Sequence, residues 1–232
     1  MDEASSGRQA DRVLKPVLMP ALTRRLVSLF FGLWLYGFSM AMMISAGLGL
    51  DPWDVFHQGV AQRVSMSFGV ITAITGVVVL LLWIPLRQRP GFGTIANVVV
   101  IAIAVDTSLA FLPDVDSMPV RIFMLVAGVL LNGVASVLYI GAGMGPGPRD
   151  GLMTGFVART GLSVRLVRTT IEIVVLATGW LLGGTVGVGT VLYALGIGPT
   201  IQLLIKVLPH SMTVAVMGEK ESREAQTLGA TG

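Results

Sequence analysis

The sequence predicts an all-α membrane protein: six transmembrane helices arranged as two inverted three-helix repeats, each with an extra short helix that is re-entrant or interfacial. Three observations predict this. The first is composition: the 232 residues are 53% hydrophobic and only 12% charged, with a mean hydropathy of +0.80. An ordinary soluble domain carries about 25% charged residues. The second is that the chain aligns with itself without a gap at an offset of 96 residues (Gly32 onto Gly128). The third is the placement of Lys and Arg, which fall almost entirely on one side of the membrane once three crossings are assigned to each half.

The apolar residues come in runs of roughly 18 or more, enough to cross about 30 Å of hydrocarbon at 1.5 Å per residue. A soluble enzyme and a secreted disulfide scaffold are excluded. The chain has no cysteine, so thiol catalysis and CxxC redox chemistry are absent. No cofactor and no metal site is expected. A pI of 9.7 invites a nucleic-acid reading, but basic residues gathered on one face of a membrane remove it.

Taken in order, residues 1–24 read as a polar cytoplasmic tail. The first apolar run, about 26–46, is too long for a signal h-region and is a retained helix. It ends in the Gly-rich break GLGLDPWD. A short stretch at about 52–64 follows, covering roughly 18 Å if helical, too little to cross. Spans at about 68–86 and 94–112 complete the first repeat, 25–113. An external linker, 114–120, leads into the second repeat, 121–209. There a helix at 122–142 ends in GMGPGPRD, and a short stretch at 148–160 precedes spans at 166–183 and 189–208. Residues 210–232 read as a second cytoplasmic tail.

The internal match is carried by residues whose roles are backbone or charge. Ala46, Gly47 and Gly49 fall on Ala142, Gly143 and Gly145; Pro52 and Asp54 on Pro148 and Asp150; Gly59, Arg63 and Ser67 on Gly155, Arg159 and Ser163. Gly91, Gly93 and Thr94 meet Gly187, Gly189 and Thr190. With three crossings per half, both termini, the 87–89 turn and the 143–168 loop share one side. All but Arg63 and Arg121 of the sixteen Lys and Arg then lie there, which places both termini in the cytoplasm. An odd number of crossings makes the repeats inverted, a construction used by many transporters, with sites where broken helices meet.

The candidate chemistry lies at the two breaks. Gly47, Gly49, Gly143 and Gly145 permit backbone shapes other residues resist, and Pro52 and Pro148 suit the first helical turn. A half-helix starting there offers N–H groups to an anion or carboxylate; the alternative is a plain tight turn capped by Asp51 or Asp54. Asp54 and Asp150 recur at equivalent places, flanked by Trp53 in one half and Arg149 in the other. One aromatic plane, one guanidinium and two carboxylates suit a zwitterionic or anionic organic solute. A salt bridge from Arg149 to Asp54 or Asp150 is the competing reading. Glu172 is the only Glu within a span; Arg168 stands one turn earlier, so the two form either a structural pair or a gate or coupling element. Asp106, near an outer span end, is a further coupling candidate, with Thr107, Asn97 or water as its partner.

Gly179, Gly183 and Gly187 form a small-residue stripe, a packing face or a homodimer seam. His57 has no second ligand at metal spacing. Trp53, Trp83 and Trp180 fall near span ends as interfacial anchors, and Trp34 sits deeper as packing.

The segments GLGLDPWDVFHQGV, RPGFGT, GAGMGPGPRDGLMTG, VRTTIE and GWLLGGTVGVGT together resemble the YczE/YyaS/AitT family of bacterial integral membrane proteins, loosely akin to YitT-type proteins, over about residues 25–208. The resemblance implies a protein of the bacterial inner membrane and names no substrate. It lends a functional role to Pro52, Trp53, Asp54, Pro148, Arg149, Asp150, Arg168 and Glu172. The expectation is a secondary transporter or exporter of a small polar metabolite, with proton or sodium coupling and contacts to lipid. Trp53, Asp54, Arg149 and Asp150 would line its site. The alternative is a membrane scaffold for cytoplasmic enzymes. An intramembrane enzyme is not expected, since no HExxH or Ser–His arrangement is present.

Overall fold

The computed structural model describes residues 3–113 and 115–207, with side chains described over 22–113 and 115–206. The expected tail at 210–232 lies outside them, as does Asp114. Eight helices and no strand occur among the described residues: α1 (Glu3–Ala46), α2 (Pro52–Val64), α3 (Phe68–Leu86), α4 (Phe92–Phe111), α5 (Met118–Gly141), α6 (Pro148–Thr160), α7 (Val164–Leu181) and α8 (Val188–Val207). α1 extends back to Glu3 through the segment expected as a tail.

Local chemistry sets the short helices. Asp51 caps α2, its carboxylate accepting from the Trp53 and Asp54 amides, and Pro52 and Pro148 open α2 and α6. Ser67 and Ser163, equivalent in the two halves, cap α3 and α7 through Val70 N–H and Leu166 N–H. The glycines of the breaks are required by conformation: Gly47 and Gly49 have φ of +59° and +114°, and their counterparts Gly143 and Gly145 have +62° and +125°.

Among the described residues five helices are long and apolar enough to cross a membrane: Leu22–Ala46, Phe68–Leu86, Phe92–Phe111, Met118–Gly141 and Val188–Lys206. α7, expected as a sixth crossing, is not among them because its 18 residues carry three charges, Arg165, Arg168 and Glu172. Its other face is apolar and exposed at Leu166, Ile173, Val174 and Trp180.

α1 and α5 form the centre and run antiparallel. Arg25 near the start of the α1 span meets Ala142 past the end of α5, Ser39 meets Asn132 midway, and Arg121 near the start of α5 meets Ala46 at the end of α1. Small residues let the helices approach: a side chain at Gly32 would strike the backbone at Tyr139, and one at Gly128 would strike Met43. α4 lies on α1 where Gly37 faces Ala104, and α8 lies on α5 where Gly133 faces Thr200.

The short helices then cross over. α2 packs on α7 of the second half, and α6 on α3 of the first. The exchange repeats contact by contact. Arg25 donates from Nε to Ala142 O (2.7 Å) and from Nη2 to Gly143 O (2.7 Å); Arg121 donates to Ala46 O (2.6 Å) and Gly47 O (3.0 Å). Gly93 N–H reaches Met144 O at 2.7 Å, and Gly189 N–H reaches Leu48 O at 2.8 Å. The GFGT and GVGT segments therefore recur because each receives the other half's break against bare backbone.

Three tryptophans depart from expectation, Trp53 because it lines the central cavity rather than an interface. Trp83 is 1% exposed and donates from Nε1 to Pro148 O at 3.0 Å, so it locks α6 rather than anchoring at an interface. Trp34 is 46% exposed on the outside of α1 rather than packed, while Trp180 is exposed as expected. Of the Gly179–Gly183–Gly187 stripe, Gly179 and Gly187 are packed against Val55, Phe56 and the 48–49 backbone, whereas Gly183, past the end of α7, stays exposed beside Gln62. A side chain at Gly151 would overlap the Trp83 ring. Gly151→Ala should lower stability by about 1–3 kcal/mol, as thermal unfolding in detergent would show. Gly196→Ala, with only Val129 nearby, should change it by less than about 0.5 kcal/mol.

Candidate functional site

α5 is 24 residues long, or about 36 Å, and the two breaks stand at its opposite ends, pinned by Arg121 and Arg25. Yet Arg149, just past one break, lies within 3.5 Å of Asp51, just past the other. Each chain segment must therefore fold back from its end toward the middle before starting its short helix. The C-terminal ends diverge again: Arg63 of α2 donates to Leu182 O at one end, and Arg159 of α6 to Pro85 O at the other. The two short helices therefore face each other by their N-termini, midway between the ends of α5.

Between those N-termini is a cavity of about 400 Å³ lined from both halves. Arg149 is the central cation. Its Nη1 is 3.5 Å from Asp51 Oδ1, its Nη2 is 3.4 Å from Asp54 Oδ1, and its guanidinium lies 5.0 Å from the Trp53 ring centre. The competing salt-bridge reading is thus realised toward Asp51 and Asp54, not Asp150. Arg149 keeps 29% of its side chain exposed and reaches the cavity wall. Its contacts are longer than the roughly 2.7–2.9 Å of a tight charge-assisted bond, so packing holds it beside the carboxylates without a close pair.

The expected site residues divide by position. Trp53, Arg149, Asp150, Pro52, Pro148, Arg168 and Glu172 are on the wall. Asp54 is 0% exposed and sits behind it, touching Arg149 and, at 3.3 Å, His57 Nδ1. Asp150 accepts from Tyr139 Oη at 3.3 Å. Arg168 and Glu172 pair at 2.9 Å. Gly47, Gly49, Gly143 and Gly145 shape the breaks without reaching the cavity. Asp106 is elsewhere: it accepts from Ser67 Oγ (2.5 Å) and Gly69 N–H (2.7 Å), and neither Thr107 nor Asn97 is its partner. It ties the start of α3 to α4.

Asp51 was not expected in the site, since it follows a span end as external loop acids do. It is 1% exposed, lines the wall and is the second carboxylate facing Arg149. All three tyrosines of the chain, Tyr36, Tyr139 and Tyr193, also line the cavity. Tyr36 and Tyr139 meet edge to face, and Tyr193 donates to Asn132 Oδ1 at 3.0 Å. One signal pointed to them. At the 96-residue offset Tyr36 is matched by Asn132 and Asn97 by Tyr193, so polar residues recur in mid-span at equivalent positions.

Burial dominates the electrostatics. It pushes the Asp51 carboxyl up to about 6, with the Asp54 charge adding and Arg149 opposing. It also raises Asp54 against the pull of Arg149. His57 is held neutral, lowered to about 3 by burial and then by Arg149.

Known proteins place the chain. The model of a family described as "Family of unknown function (DUF6198)" matches residues 23–206. An "Uncharacterized protein" of Haemophilus influenzae is 38% identical over 185 residues, 78% of this chain and 85% of the relative. The "Uncharacterized membrane protein YczE" of Bacillus subtilis is 33% identical over 168 residues, 72% of this chain and 78% of the relative. No solved structure matches significantly. With apolar helices long enough to cross a bilayer and a matching membrane relative, the chain belongs to the DUF6198 family as a YczE-like membrane protein.

Proposed function

We propose that this protein is a secondary transporter or exporter, not an enzyme, that moves a small zwitterionic solute by alternating access between two inverted halves. In this reading α7 is the sixth crossing, with Arg168 and Glu172 turned to the cavity and its apolar face to lipid. Both termini are cytoplasmic, and the membrane is the bacterial inner membrane. The observation that carries the proposal is the cavity between two half-helix N-termini, its charges contributed by both halves. About 400 Å³ suits a small metabolite. Asp51, Asp150 and Glu172 outnumber Arg149 and Arg168 on the wall, which favours a solute with an ammonium group over a plain anion. Trp53 and the tyrosines give such a group aromatic faces.

The test is uptake into proteoliposomes of small zwitterions first selected by thermal stabilisation of the purified protein. Asp150→Asn and Asp54→Asn should each cut uptake at least about tenfold, a loss of roughly 1.4 kcal/mol, with expression unchanged. Uptake at the wild-type rate in both would remove this site. A scaffold acting through its tails would instead lose its partners, not uptake, when residues 210–232 are deleted.

A further inference from the structure

Resting on the transport reading, we propose that Asp51 and Asp54 form a proton-binding pair that takes up one proton from the cavity and thereby frees Arg149 for the solute. The pair is one turn apart at the start of α2, and both carboxylates are essentially fully buried. Each offers Oδ1 to the same guanidinium, and each leaves Oδ2 buried with no hydrogen-bond partner. The Trp53 and Asp54 amides both go to Asp51 Oδ1, so no backbone donor is left for the orphaned oxygens.

Two buried negative charges therefore face one positive charge, and an unbalanced buried carboxylate is far too costly to persist. The missing charge is not His57, which is neutral beside Asp54. Sodium fits poorly: it needs a shell of oxygens, whereas a guanidinium, an imidazole and two amide N–H groups crowd this pair. No group of three or more acidic, His or Cys residues suited to a metal occurs among the described residues. A solute ammonium can reach Asp51 on the wall but not Asp54 behind it. A proton needs no shell and is small enough for both. A hydronium in the cavity donates it: the new O–H bond forms on an Oδ2 as one hydronium O–H bond breaks to leave water, and one carboxylate remains to balance Arg149.

The remaining charged and titratable groups around the pair do not supply that charge. Tyr36 of α1 and Tyr193 of α8 line the same cavity as phenols, which carry no positive charge in either protonation state. Tyr139 of α5 is turned to Asp150 of α6, and Arg168 and Glu172 of α7 neutralise each other. α3 presents only Thr72, toward His57. Burial and mutual repulsion already move Asp51 up to about 6, in the direction the geometry requires. Because Trp53 stacks beside Arg149, any release of the guanidinium changes that ring's surroundings.

The experiment is a pH titration of the purified full-length protein in detergent, in sodium-free choline buffer. Trp53 fluorescence is taken as the difference from Trp53→Phe, and infrared difference spectra follow the C=O stretch of a protonated carboxyl. The expected result is a single one-proton step with its midpoint well above the ordinary carboxylate value of about 4, unmoved when sodium replaces choline. Asp51→Asn and Asp54→Asn should each lower the midpoint by at least about one pH unit, because the remaining carboxylate then has Arg149 to itself. The double variant should lose the step. The proposal is overturned if the step survives in the double variant or its midpoint follows sodium. It is equally overturned if the wild-type protein shows no protonated-carboxyl band down to a pH of about 4, a measurement that needs no variant to fold. An intact step in a protein that moves no solute would refute transport alone; uptake without the step would refute the proton site alone.

Discussion

Arg149→Gln is expected to destabilise the protein by about 3–5 kcal/mol, the range found when one partner is removed from a buried ion pair. It leaves the Asp51 and Asp54 carboxylates buried with no counter-charge, since among the described residues Arg149 is the cation paired with both and His57 beside Asp54 is neutral. Two further outcomes separate this cause from lost packing against Trp53. Adding Asp51→Asn and Asp54→Asn to the same chain should restore most of the loss, because nothing charged then remains to be desolvated. The loss should also grow with pH. A carboxyl whose folded-state value is raised binds a proton more readily folded than unfolded, so stability falls as pH rises from the unfolded value of about 4 through the folded value. In the wild-type protein that window ends at about 6 for Asp51; without Arg149 it extends higher. Thermal unfolding in detergent at acid and mildly alkaline pH checks this. A loss equal at both pH values and not rescued by the Asn pair would assign Arg149 a packing role only.

Much of the architecture was legible because it rests on residues with unambiguous backbone roles. Pro52 and Pro148 mark where α2 and α6 begin, Ser67 and Ser163 mark α3 and α7, and the paired glycines mark the breaks. Some of the charged and aromatic residues at the cavity were readable for the same reason: Trp53, Arg149 and Asp150 follow directly on those prolines. What hydropathy and spacing could not convey was depth. A residue five places beyond a span end normally lies in the external loop, yet here the chain turns back at Gly47 and Gly49 and carries Asp51 to the centre. Trp83 was misplaced for the complementary reason. It is near the end of its own helix, but α6 of the other half starts beside it, so a position that looks interfacial is enclosed. α7 is ambiguous because one face serves a polar cavity, so that Arg165, Arg168 and Glu172 put three charges into an otherwise apolar helix.

The crossing-over of the halves explains why the two arginines that bridge the breaks matter more than exposed arginines usually do. Arg25 and Arg121 each give two hydrogen bonds to the terminal carbonyls of the opposite central helix. Those carbonyls have no partner further along their own helix. Arg25→Ala and Arg121→Ala should each destabilise by about 2–4 kcal/mol, given roughly 1.5–3 kcal/mol per hydrogen bond to a charged group and partial compensation. Lys should rescue little, because it cannot present the fork that spans two successive carbonyls. The two sites stand at opposite ends of a helix of about 36 Å, so their effects on stability should add. Their effects on access should oppose. With a single Cys placed at Ser136 on the cavity wall, Arg25→Ala should speed labelling by an impermeant thiol reagent from the face where α1 begins. Arg121→Ala should speed it from the face where α5 begins. A several-fold change of opposite sidedness is what two reciprocal latches on one cavity require. Equal changes from both faces would mean that the arginines only hold the fold together, and that the cavity opens by some other movement.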